Sequence, residues 1–359
     1  MSKAAELANL IGNINAGGGG VGRNLFINGA MQVAQRSTSA DNGGGGYQTV
    51  DRLRHSQNSS GLGNYNSAQV ADAPTGFNKS FKFTKDGATS MGSGNSAYFQ
   101  QNIEGQNLQH LKYGTSDAVP LTASFYVKSS LTGTFGLSLE ENGNSRSNVQ
   151  TYTISSANTW ELKSVTFVGD TASALANDNT NELSLRFAIG VGSNYQTSST
   201  NTWASGDKLG TSSQTQLTET DNATFFLTGV QLEVGQNPTS FEHEPFERTL
   251  EKCQRYFFRW DVDATSLGAG IFYSASQVLA YHKYPRTMRA SPTMSNSGSG
   301  CVYAYSRGTN LTQGGGVVHD NIGKDTMRWN FTVTSNGTVG DGTYIQLPGS
   351  EFVQGDAEL

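Results

Sequence analysis

Charge is scarce in this chain. Asp, Glu, Lys and Arg make up 15% of its 359 residues, the net charge is −5, and no block of Lys or Arg occurs anywhere. A protein that binds nucleic acid needs a basic footprint to neutralise phosphates, so this composition argues against that partner. Cysteine is nearly absent. Cys253 and Cys301 stand alone, with no Cys or His nearby at zinc-ligand spacing, as expected of idle or buried thiols in a protein made in a reducing cytosol. A single disulfide between them stays open, without support from the spacing. No apolar run reaches the ~18 residues that span a bilayer, and Met1–Ile14 mixes polar with apolar residues where a secretory signal would be apolar. If the protein works outside the cell that makes it, the expectation is a non-secretory exit. His55, His110, His243, His282 and His319 are scattered, with no HExxH spacing, no GxSxG elbow beside them and no internal repeat in the chain.

What the chain has instead is glycine and aromatics. Its 43 Gly residues exceed the usual share of ~7%, and Ser, Thr and Asn interleave with short apolar runs. That is the makeup of an all-β protein whose turns need Gly and whose outward faces carry hydroxyls and amides. The 18 Phe, 14 Tyr and 4 Trp argue against disorder, because disordered chains are poor in aromatics.

Ser2 to Ile14 reads as a short helix that Ser2 can cap, with Leu7, Leu10, Ile11 and Ile14 at three- and four-residue steps on one face. Ala16–Gly20 ends it. An isolated helix this short is marginal in water, so two readings stay open: an anchor docking on a partner, or a helix packed on its own domain. Arg23–Arg36 alternates on both sides of Asn28-Gly29 and predicts two short strands about a turn or bulge. From Val50 to Val234 period-two runs recur between Gly, Asn and Ser turns with no convincing helix, which predicts an antiparallel sandwich or jelly roll.

The stretch NATFFLTGVQLEVGQNPTSFEHEPFERTLEKCQRYFFRW (Asn222–Trp260) joins a strand-like run, a Gly/Pro turn, a helix-like patch and an aromatic run. It marks a seam. The expected organisation is an arm and Gly-rich linker over 1–22, a jelly roll over 23–247 and a smaller β-sandwich over 248–359. Arg286–Gly300, Ser306–Gly316 and Thr334–Gly342 are the expected tip loops of the latter.

The segments NLFINGAMQVAQRS, AYFQQNIEGQNLQHLKYGTSDAVPLTASFYVKSSLTGTFGLSLEENGNSR, TWELKSVTF and TGVQLEVG…TSFEHEPFERTLEKCQRYF resemble the carbohydrate-binding-module-like jelly rolls of bacteriophage tail and fibre proteins. The likeness spans about 23–257, with the seam its most specific piece. KYPRTMRASPTMS is a weaker echo of the second domain, and the final DAEL looks like the end of such proteins, which implies a native C-terminus. The resemblance implies a virion protein assembled in a host bacterial cytoplasm, expected to be a tail fibre, homotrimeric, bound to other virion proteins through its N-terminal arm and recognising host-surface glycan or protein. A purely structural virion component, such as a head decoration or tail adaptor, and a glycan-cleaving tailspike remain as alternatives. It also places Trp160 as a core packing residue and leaves open a structural calcium near Asn28 and Glu233; otherwise no cofactor and no metal ligand are expected.

No enzyme is expected. Glycoside cleavage needs two carboxylates across the scissile bond, and Glu140 and Glu141, adjacent in a strand, point to opposite faces. With Asp170 they read as solvated loop acids. Tyr195 and Trp203 lie in a long polar loop, Gly190–Gln216, and are the candidate aromatics for a subunit or glycan contact, with local packing as the alternative. Trp329, alternating with Met327 and Phe331, reads as core.

Overall fold

Period-two alternation becomes strand along most of this chain because each such run offers a row of apolar side chains to bury on one side. The computed structural model describes residues 2–15, 22–141, 146–261, 266–297, 303–306, 309–311, 318–333, 337–347 and 351–359. Strand accounts for 44% and helix for 9%, so the chain is all-β with a short N-terminal helix. It divides into two compact units, Met1–Thr249 with Leu359, and Leu250–Glu358.

The first unit opens with α1 (Lys3–Asn15). Ser2 caps it: the Ala5 amide donates to Ser2 Oγ at 3.3 Å and the Glu6 amide to the Ser2 carbonyl at 3.0 Å. Then come β1 (Ser39–Asp41), β2 (Gly46–Tyr47), β3 (Arg54–Asn58), β4 (Tyr65–Val70), β5 (Ser80–Lys85), β6 (Ser96–Glu104), β7 (Leu121–Ser129), β8 (Gly133–Glu141), β9 (Arg146–Ile154), β10 (Glu161–Phe167), β11 (Asn181–Val191), β12 (Trp203–Ser205) and β13 (Thr224–Val234). A six-stranded sheet runs β1-β4-β5-β13-β7-β10 and a seven-stranded one β12-β9-β8-β11-β6-β3-β2. Paired strands are antiparallel throughout.

Aromatic rings join the inner faces. Phe99 of β6 lies 4.8 Å from Phe81, 5.4 Å from Phe83 and 6.0 Å from Phe225 across the sandwich, and Phe187 of β11 meets Phe125 of β7 edge-on at 5.1 Å. His55 is sealed among them with its Nδ1 2.8 Å from the Tyr65 hydroxyl. Burial pushes its imidazole down to about 3. A neutral His55 therefore stabilises the fold above the ordinary histidine pKa, and that contribution is lost as pH falls toward 3.

The strands expected in Arg23–Arg36 do not form. Side-chain amides do the work of a ladder there: Asn24 Nδ2 donates to the Val230 carbonyl, the Leu232 amide donates to Asn24 Oδ1, and Gln101 both donates to and accepts from the Ile27 backbone. Gly29 is required at this seam, since a Cβ on it would sit 2.0 Å from the Val230 carbonyl oxygen. Opposite it, β13 slips register between Thr228 and Gln231, with Gly229 at φ +60°.

The second unit contains most of α2 (Phe246–Gln254), then β14 (Phe257–Asp261), β15 (Ser266–Ser274), β16 (Gln277–Lys283), β17 (Thr293–Asn296), β18 (Tyr303–Ser306), β19 (Thr309–Leu311), β20 (Val318–Asp320), β21 (Thr326–Thr332), β22 (Gly342–Gln346) and β23 (Phe352–Asp356). A three-stranded sheet, β14-β23-β17, accompanies a seven-stranded one, β19-β18-β22-β15-β16-β21-β20. Trp329 is wholly buried at its core with Phe258, Phe272, Met327, Phe331 and Ile345. Cys253 is buried. Cys301, the linker 16–21 and parts of the three expected tip loops (298–300, 307–308, 312–316 and 334–336) lie outside the described residues.

Phe99→Ala removes the ring that bridges the sheets and is expected to lower unfolding free energy by about 3–5 kcal/mol, read from the shift in urea midpoint at constant slope.

Candidate functional site

Because Phe99, Leu185, Phe187 and Leu139 point inward, their neighbours on β6, β11 and β8 point out. The ladder lines up Arg54 with Gln100, Gln100 with Arg186, and Arg186 with Ser138. Arg186 is the centre of this outer face and is fully buried. Its Nη1 lies 2.6 Å from Asp207 Oδ1 and 3.3 Å from Glu140 Oε2; Nη2 donates to the Lys208 carbonyl at 2.9 Å and Nε to Ser138 Oγ at 3.1 Å. The guanidinium stands 5.5 Å from the centroid of the half-buried Tyr98 ring.

Burial raises the Glu140 carboxyl above its ordinary value, with Arg186 pulling it back. Burial likewise raises the Tyr98 phenol, which feels the charges of Arg186, Asp207, Glu140 and Arg54 together. The face thus combines the Tyr98 ring, two arginines, two carboxylates and the buried Gln100 amide on the sheet and the loop that crosses it. Such a patch can stack an apolar ring face and offer paired donors and acceptors at its edge.

Asp207 and Lys208 come from the long loop of the sequence reading, whose two candidate aromatics part company. Tyr195 packs, with Tyr98, against Ala188, Val191 and Leu209, and its carbonyl accepts the Leu209 amide at 2.8 Å. It belongs to the Arg186 face. Trp203 does not: it pairs with Asn148 at the start of β12, packs against the main core, meets Tyr113 edge-on at 5.8 Å and donates Nε1 to the Val168 carbonyl at 2.7 Å. Tyr98, Arg186, Glu140 and Asp207 went unnoticed in the sequence, although a lone Arg inside the apolar run ELSLRFAIGVG was a usable signal.

Glu140 and Glu141 take opposite faces of β8, as adjacent strand residues must. Neither Glu141 nor Asp170 is the solvated loop acid expected: both are buried. Asp170 is held by Arg146 through two contacts, Nε to Oδ2 at 2.6 Å and Nη2 to Oδ1 at 3.1 Å. Neither oxygen of Glu141 makes a well-formed hydrogen bond. Burial pushes its carboxyl up to about 7; Ser173 and Arg146 oppose that shift and Asp170 adds to it.

Trp160 is also not in the core. It lies on the outer side of the six-stranded sheet, where Nε1 donates to Asp72 Oδ1 at 3.1 Å and the Lys128 ammonium sits 5.2 Å from its ring and 4.2 Å from that of Phe226. On that side the indole N–H finds a carboxylate acceptor and the ring a cation.

Asn28 and Glu233 sit in separate networks. Asn28, at φ +62°, bonds the backbone of Val33 and Asp51, while Glu233 accepts from the Thr239 amide and hydroxyl and from Gln231. Among the described residues no group of three or more His, Cys, Asp and Glu side chains is placed to hold a metal ion. On α1, Leu7 and Ile11 are 58% and 49% exposed on the same face; the side chains of Leu10 and Ile14 lie outside the described residues.

No family model and no curated protein matches the chain. Among solved structures, it is similar at 12% identity to the enzymatically active domain of bacteriophage CBA120 tailspike protein 4, over 59% of this chain and 21% of that one, with a TM-score of 0.30. A putative sugar binding protein from Bacteroides thetaiotaomicron matches at 11% identity over 59% of this chain and 99% of its own, with a TM-score of 0.30. The family 11 carbohydrate-binding module of a Clostridium thermocellum cellulase matches at 12% over 58% and 100%, with a TM-score of 0.26. The chain thus spans about a fifth of the tailspike domain's length. Scores of this size establish no function.

A carboxyl whose folded pKa is raised stabilises the fold fully below its unfolded value and loses that contribution as pH climbs to the folded value. For Glu141 the window runs from its ordinary 4.5 to about 7. Glu141→Gln is expected to flatten the fall in melting temperature across that window and to leave the variant more stable than the parent at pH 8, as read by thermal melts at fixed ionic strength.

Proposed function

We propose that this chain is a bacteriophage virion surface protein, a tail fibre held by its N-terminal arm, and that the Arg186 face of the first unit binds host-surface glycan. The observation that carries the glycan reading is the Tyr98 ring set beside Arg186, Glu140 and Asp207. A sugar presents an apolar C–H face and a rim of hydroxyls that both donate and accept. Tyr98 supplies a flat apolar surface, while Glu140 and Arg54 supply acceptors and donors beside it. Arg186 fixes the two carboxylates in advance, so little side-chain freedom remains to be lost on binding.

The virion assignment is supported by the resemblance of the seam and the 97–146 stretch to phage tail proteins, and the anchor by the exposed Leu7 and Ile11. A helix with an uncovered apolar face gains by docking on another protein, each side chain contributing roughly 1.5–3 kcal/mol when fully buried.

Tyr98→Ala, confirmed folded by circular dichroism at the titration temperature, is expected to weaken binding of the full chain to envelope polysaccharide of a susceptible host at least tenfold, as titrated by calorimetry. Equal affinity for parent and variant would sink the glycan reading. Leu7→Asp combined with Ile11→Asp is expected to abolish incorporation into particles while the isolated protein stays folded; undiminished incorporation would count against the anchor.

A further inference from the structure

Where β8 ends and β9 begins, strand alternation carries polar side chains into the interior of the first unit. Leu139 faces the core, so Glu141, two residues on, takes the same side, as do its cross-strand partner Arg146 and then Asn148, which stands opposite Leu139. Glu141 and Asn148 are thus diagonal neighbours on one face, within reach of each other. The partner of Asn148 in β12 is Trp203, whose ring meets that of Tyr113 edge-on at 5.8 Å. The Tyr113 phenol in turn feels the charges of Glu141 and Asp170. All these groups border one space.

They also share a want of partners. Glu141 and Asn148 are wholly buried and Tyr113 is 5% exposed, yet both Glu141 oxygens, both amide atoms of Asn148 and the Tyr113 hydroxyl make no hydrogen bond with the rest of the chain. Native interiors leave few polar atoms in that state, and each one calls for an explanation. Asp170 is different. Arg146 engages both of its oxygens and the Ala172 amide donates to Oδ1 at 2.9 Å. A buried carboxylate without a donor must take up a proton or share its charge with a cation.

We propose that the Glu141 carboxylate, Asn148 Oδ1 and the Tyr113 hydroxyl oxygen bind a monovalent alkali cation, sodium or potassium. The donors decide the class: all are oxygens, the ligands of hard cations, where zinc and copper take imidazole or thiolate. Charge decides the valence. Arg146 cancels Asp170, which leaves the single negative charge of Glu141. A monovalent ion makes the enclosed group neutral, whereas a divalent one would leave a positive charge buried without a counterpart. Calcium would also want about six to eight oxygens, more than these side chains supply. The place is distinct from Asn28 and Glu233, whose oxygens are taken up in networks of their own.

Thermal melts of the full chain at pH 8 and constant ionic strength test this, with sodium or potassium chloride replacing tetramethylammonium chloride, whose cation is too bulky for an enclosed site. Either alkali salt is expected to raise the parent's melting temperature saturably, by about 3–6 °C. The parent is also expected to broaden the sodium NMR line until potassium displaces the ion. Glu141→Gln is expected to gain nothing from sodium and to leave that line sharp. Asn148→Ala, expected to need at least tenfold more sodium, serves as the second variant should Glu141→Gln fail to fold by circular dichroism. A parent that melts alike in all three salts overturns the proposal, as does a folded Glu141→Gln or Asn148→Ala that answers sodium as the parent does. Saturable stabilisation by calcium chloride alone would overturn the choice of a monovalent ion.

Discussion

Phe99 touches three aromatic rings on the opposite sheet at 4.8–6.0 Å, and the placement of every outward group on the seven-stranded sheet follows from that packing. With Phe99 inside, strand geometry leaves Tyr98 and Gln100 no direction but outward. The same holds for Arg186, between the buried Leu185 and Phe187, and for Glu140, between the buried Leu139 and Glu141. A slip of one residue would carry the arginine into the hydrocarbon interior and two leucines into water, so the apolar core and the polar face fix each other's register.

Three buried ionisable groups meet their burial in different ways. Arg186 stays charged because two carboxylates and a carbonyl surround it; taking an ion out of water costs several kcal/mol, which only such partners offset. His55 gives up its charge and keeps a single hydroxyl partner. Glu141 lies beside Asp170, which already serves Arg146, and its carboxyl is pushed toward the protonated form. The sandwich thus carries two groups whose contributions to stability run in opposite directions with pH.

The all-β class was legible because alternation, aromatics and turn residues all point one way. So was α1, from the spacing of Leu7 and Ile11 behind a serine cap. Arg23–Arg36 misled because its alternation serves a segment bonded by the side chains of Asn24, Asn28 and Gln101, and periodicity cannot tell a ladder of backbone groups from one of amides. The candidate site was half legible. Tyr195 does share a cluster with Tyr98, but Trp203 turns toward Tyr113 because its indole finds the Val168 carbonyl there. That Glu141 and Asp170 come together depends on the closing of one sheet over the other, which no local pattern encodes.

The stitching of Asn24 and Gly29 to Val230 and Leu232 also has a kinetic side. Asn24 and Gly29 are bonded to the last strand of the unit, about two hundred positions later in synthesis. Those partners come only with β13, so closing this segment carries the entropy of a loop of about two hundred residues. In a growing chain the bonds of Ile27 to Gln101 can form once β6 has left the ribosome, whereas those of Asn24 and Gly29 wait for β13.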